Sequence, residues 1–123
     1  MKLWMTIGAL YGFLGVALGA FGAHGLRARL SADALAIWKT AVDYQFYHAL
    51  ALLLVGLWAM QQPARALNVA GTCFALGVVL FSGSLYALAL SGVRVLGAIT
   101  PLGGLLFLCG WLSLAWRAVG ASR

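Results

Sequence analysis

"IGALYGFLGVALGAFGAHG", residues 7–25, sets glycine at positions 8, 12, 15, 19, 22 and 25 of a run without a charged side chain. In water each helical glycine costs about 1 kcal/mol relative to alanine, so a soluble helix has no reason to repeat it. Gly8, Gly12, Gly15, Gly19 and Gly22 are spaced by four, three, four and three residues, and at about 100° per residue they fall in one narrow stripe. A bilayer changes the balance. Backbone hydrogen bonds have no water to exchange with there, and helices associate by close packing of small residues. The stripe therefore reads as a groove for another helix, with a 3.5-residue repeat that favours a left-handed crossing. The plain reading gives the groove a helix of the same chain; a homo-oligomer contact is the alternative.

Composition agrees with a bilayer. Of 123 residues 64% are hydrophobic and 8% charged, too little polar surface to coat a soluble globule. A span needs roughly 20 apolar residues, and four such stretches occur, at about 3–23, 44–62, 66–91 and 96–117. Brief connections favour antiparallel neighbours. The expected fold is an all-α integral membrane protein, a single transmembrane domain built as a four-transmembrane-helix up-down bundle. A secretory signal is the competing reading of the first span, because Lys2 precedes an apolar run ending in small residues. The run is long for a signal, and it is read as a retained helix.

Orientation follows from basic residues in cytoplasmic segments. Lys2, Arg65, Arg117 and Arg123 fall on the side of the termini, and Arg27, Arg29, Lys39 and Arg94 on the other. Discounting Lys39, if it lies in a membrane-associated helix, places the termini in the cytoplasm. Trp4, Trp58, Trp111 and Trp116 fall toward the terminal side, as an interfacial aromatic belt would.

Residues 27–43 form the one long polar segment, with both acidic residues, Asp33 and Asp43. Ser31 is a good N-cap, and neither Gly nor Pro interrupts the chain from Ala32 to Val55. The second helix is thus expected to begin with an amphipathic extension over about 32–43. On its wheel Asp33, Thr40, Asp43, Tyr44, Tyr47 and His48 gather within roughly a third of a turn. Tyr47 and His48 then enter the bilayer, where polar groups face protein or a water-filled cavity. Up-down topology puts His24, Ser82, Ser84, Tyr86, Arg94 and Thr100 in the same leaflet. His24, Asp43, Tyr44, Tyr47, His48, Tyr86 and Thr100 are the candidate ligand or lipid site, expected to converge around one cavity; a structural hydrogen-bond network tying the helix ends is the plainer alternative.

Specific chemistries find little support. Two histidines and two aspartates are too few and too loosely spaced for a zinc site, so no metal or other cofactor is expected. Ser82 and Ser84 in "FSGSLY" lack the strand-turn-helix setting of a nucleophile elbow, and an enzyme is not expected. Cys73 and Cys109 lie in spans, where a thiol is little reactive. The formal charge of +6 reads as topology signals and contact with anionic lipid heads rather than nucleic acid. Pro101 falls in the first turn or two of the fourth span, where its missing donor costs least.

"GAFGAHGL", "TAVDYQFYHALALL", "FSGSLYALALSG" and "ITPLGGLLFLCGW", one at each of the corresponding span ends, together resemble the YgdD/YwdK-like family of small bacterial membrane proteins. The resemblance covers essentially the whole chain. It implies a four-helix inner-membrane protein of unknown function and marks Gly22, His24, Gly25, Tyr44, His48, Gly83, Tyr86, Thr100, Pro101 and Gly104 as family-like positions without a catalytic role. Two classes of function stay open. One is a structural or interaction bundle that binds membrane lipids or a partner and assembles as a homo-oligomer. The other is a small oligomeric transporter, weakened by the lack of an acidic residue in the first helix.

Overall fold

The structure is a computed structural model that describes residues 2–120. Arg123, counted above in the charge balance, lies outside the described residues. Four helices follow one another: α1 (Lys2–His24), α2 (Ala32–Gln61), α3 (Arg65–Ser91) and, after a 3-10 turn at Arg94–Ala98, α4 (Thr100–Ala118). Each is long and apolar enough to cross a membrane. The protein is an all-helical, up-down, four-span bundle.

Local chemistry sets the helix ends. Gly25 and Leu26 both donate to the Phe21 carbonyl and close α1. Ser31 caps α2 by accepting from the Ala34 amide at 3.1 Å. The last carbonyls of α3 turn at Gly92, which adopts φ 72°, a left-handed conformation that glycine enters without a Cβ clash. α4 starts later than the expected residue 96, because residues 94–98 wind as a 3-10 turn and Pro101 occupies the first turn of the helix proper.

α1 packs on α2, α2 on α3 and α3 on α4. Aromatic side chains add contacts beyond these chain neighbours. Trp4 of α1 reaches α3, where its indole donates to Asn68 at 3.0 Å, and Tyr11 donates to the Ala75 carbonyl at 2.9 Å. His48 of α2 stacks on Phe107 of α4 with centroids 3.6 Å apart. The core runs along the central α2/α3 pair through Leu52, Val55, Leu67 and Phe74, each fully buried. α1 and α4 flank that pair and turn most of their apolar surface outward to lipid.

The glycine stripe divides. Gly8, Gly15 and Gly22, seven residues apart, are buried against α2. A Cβ on Gly8 would stand 2.8 Å from the Ala49 carbonyl oxygen, and one on Gly15 would stand 3.0 Å from the Phe46 ring. Gly19 approaches Val42, whereas Gly12 has nothing within 4 Å. The groove receives a helix of the same chain, and Gly12 falls off its edge. The α3–α4 contact works by the same device from both sides: Phe107 lies over Gly77, and Phe74 over Gly110.

Candidate functional site

Among the described residues four polar ones are buried: Gln45, His48, Ser82 and Ser84. In hydrocarbon an unbonded polar group costs several kcal/mol, and each of the four has a partner. Gln45 bridges three helices. Its Nε2 donates to the Tyr11 carbonyl of α1 at 2.8 Å, and its Oε1 accepts from the Tyr86 hydroxyl of α3 at 2.7 Å. Ser82 donates to the Ala41 carbonyl of α2 at 2.7 Å. Ser84 shares a hydrogen bond with Thr100 at 2.6 Å and donates to the Phe81 carbonyl. His48 places Nδ1 2.7 Å from the Tyr44 carbonyl and accepts the Trp111 indole N–H on Nε2 at 3.1 Å.

The expected cavity does not form around the expected residues. His24 ends α1 on its exposed side. Asp43 turns back along its own helix to Lys39, 2.8 Å away. Tyr47 is 55% exposed, packed beside Tyr44 with centroids 5.5 Å apart. Tyr86 leaves the histidine and joins Gln45. Tyr44 and His48 share an aromatic cluster with Phe74, Phe81, Phe107 and Trp111, which Tyr47 flanks through Tyr44. The polar stripe of α2 thus fans out, because the turn that meets α1 and α3 is centred on Ala41, Gln45 and Leu52, to one side of it.

Gln45 escaped the wheel reading because it sits among Trp38, Val42 and Ala49, outside the polar stripe. A lone amide on the buried face of a membrane helix was the available signal. Trp111 was expected at the interface. Its N–H is satisfied inside the protein, donating to His48 at 3.1 Å.

A second feature lies where α1 ends and α2 begins. A half-open groove of about 420 Å³ runs between them, floored by Gly19, Gly22, Leu35, Trp38 and Val42, with Arg27 and Lys39 at its rim. The missing side chain of Gly22 makes room for the Trp38 ring: a Cβ there would stand 2.5 Å from the indole. Trp38 is itself tied down, its N–H donating to the Leu18 carbonyl at 2.8 Å.

A family model described as "Protein of unknown function (DUF423)" matches residues 18–104, from the groove through the first turn of α4. The chain belongs to the DUF423 family. Its relatives include a UPF0382 membrane protein of Staphylococcus haemolyticus, 52% identical over 93% of both chains. The UPF0382 membrane protein YwdK of Bacillus subtilis is 43% identical over 97% of this chain and 98% of its own. A UPF0382 membrane protein of Haemophilus influenzae is 48% identical over 92% and 90%. No solved structure matches. As a DUF423 member the chain is a membrane protein whose family description assigns no activity.

Proposed function

We propose that this DUF423 protein is a non-enzymatic bundle of the bacterial inner membrane, with cytoplasmic termini, that works by binding lipid at the face holding the α1–α2 connection. The observation carrying this reading is the state of its polar groups. Gln45, His48, Ser82 and Ser84 are spent on one another's helices, so these buried polar groups tie helices together rather than face a substrate path. Both acidic residues stand outside the deep part of the bundle, Asp33 in the first turn of α2 and Asp43 paired with Lys39. What opens outward at that face is an apolar groove with cations at its edge.

Reconstitution into liposomes with an internal pH indicator tests the reading. The protein is expected to leave an imposed proton or potassium gradient unchanged relative to empty vesicles, while co-purifying with membrane phospholipid. Protein-dependent flux that disappears in His48→Ala would overturn it in favour of a transporter.

A further inference from the structure

We propose that the groove between the end of α1 and the start of α2 seats one anionic glycerophospholipid, its phosphate between Arg27 and Lys39 and an acyl chain along the glycine and tryptophan floor. The proposal rests on the lipid-binding reading and names its site and ligand class.

The floor is apolar and shaped by what is missing from it. Gly19 presents bare backbone, the Trp38 ring lies over Gly22, and that ring has its one polar atom consumed by Leu18, so it shows the groove only hydrocarbon. Water gains no hydrogen bonds on such a floor, whereas an acyl chain recovers the van der Waals contact.

The rim has the opposite chemistry. Arg27 is exposed and pairs with no other described residue. Lys39 meets only Asp43, on its own helix, and its side chain is 75% exposed, so its remaining ammonium donors can turn to a second oxygen anion. Arg29, in the same connection, and Arg94, before α4, add positive charge at that face. The other acid of the chain, Asp33, belongs to the far stripe of α2 and is not among the groove's lining residues.

Depth selects the occupant. Arg27 follows the last turn of α1 directly, and Lys39 lies about 10 Å along α2 from Ala32, ahead of the residues that enter the apolar span at Tyr44. Cations over an apolar slot at this level meet the phosphate and the upper acyl chain of a lipid, since headgroups and chains are the medium around the protein there. A second copy of the chain docking by the same face would bring Arg27 and Lys39 against like charge, and so suits the rim poorly.

The test uses the full chain in nanodiscs of phosphatidylcholine doped with phosphatidylglycerol, followed by native mass spectrometry and by titration of detergent-solubilised protein with phosphatidylglycerol. The wild type is expected to retain one phosphatidylglycerol in preference to phosphatidylcholine. Arg27→Gln and Lys39→Gln should each weaken retention about fivefold, from the contribution of one basic residue near an anionic headgroup. The double variant should lose the preference while keeping its unfolding temperature, because both side chains are exposed. Ala23→Trp, at an exposed position lining the groove, should displace the lipid without touching either cation. Retention of phosphatidylglycerol by the double variant at wild-type strength overturns this site and leaves the lipid-binding reading standing. Absence of any retained lipid in the wild type overturns both. Displacement by inorganic phosphate as effective as by the lipid overturns the assignment of the acyl chain to the floor.

Discussion

Trp111 donates its indole N–H to Nε2 of His48 across 3.1 Å, linking α4 to α2. Because Nε2 accepts, the histidine proton sits on Nδ1, 2.7 Å from the Tyr44 carbonyl. Both ring nitrogens are thereby occupied, and Phe107 covers the ring face in parallel stack at 3.6 Å. A histidine so enclosed is a neutral crosslink between helices, and neither nitrogen is left to meet an outside ligand.

Trp111→Phe should therefore lower stability more than its small loss of apolar area suggests. The phenyl ring fills much of the indole's place but leaves the Nε2 lone pair buried without a donor, a cost of about 1–3 kcal/mol. Thermal unfolding in detergent measures it. Trp116→Phe, at an exposed position of the same helix, should stay within about 0.5 kcal/mol of wild type. Equal midpoints for the two variants would mean that the His48 bond contributes nothing.

The glycine stripe predicts a graded series. Gly8→Leu sets a side chain against the Ala49 carbonyl oxygen and the Leu53 amide, backbone atoms that cannot swing aside. Forcing α1 from α2 there should cost about 3 kcal/mol or more, at the upper end of overpacking penalties. Gly15→Leu meets the Phe46 ring, which can rotate, and should cost less. Gly12→Leu, with open space before it, should leave the midpoint of unfolding unchanged.

Much of this architecture was legible in the sequence because the bilayer imposes it: span lengths, the Ser31 cap and the packing role of small residues all follow from rules that hold residue by residue. The α1 stripe needed the structure to divide Gly8, Gly15 and Gly22 from Gly12, which stands at the edge of the stripe where α2 no longer reaches. The polar cluster was misread for a related reason. A helical wheel groups Asp43, Tyr44, Tyr47 and His48 but carries no information on where the neighbours stand, and α1 and α3 meet α2 on the side of Gln45. The groove at Arg27 and Lys39 was invisible because its walls belong to different helices, the end of α1 and the start of α2.

Gln45→Leu tests how much the three-helix bridge contributes. The substitution removes the acceptor of the Tyr86 hydroxyl and the donor to the Tyr11 carbonyl. Interhelical hydrogen bonds in membranes average about 0.6 kcal/mol and reach about 1.7, so losing two should destabilise by about 1–3 kcal/mol. Adding Tyr86→Phe to Gln45→Leu should recover part of the loss, because it removes the orphaned hydroxyl. A double variant less stable than the sum of the two singles would show that Tyr86 has another partner.

A homo-oligomer, if it forms, has candidate contact points in glycines that the bundle leaves open, such as Gly104. In lipid an exposed apolar helix face carries no hydrophobic penalty, so the outward surfaces of α1 and α4 do not by themselves call for a partner. Small residues with empty space before them do offer one a close approach. Gly104 of α4 has nothing within 4 Å of where its Cβ would stand, although Gly103 and Gly110 on the same helix are filled by Phe81 and Phe74. A homodimer through the outer face of α4 is expected, with Gly104 at the crossing. Native mass spectrometry from nanodiscs at several protein concentrations should show dimer for the wild type. Gly104→Leu should shift it toward monomer without lowering the unfolding midpoint, since no intrachain contact is lost. Monomer alone at every concentration would rule the dimer out, and dimer unaffected by Gly104→Leu would move the interface to another face.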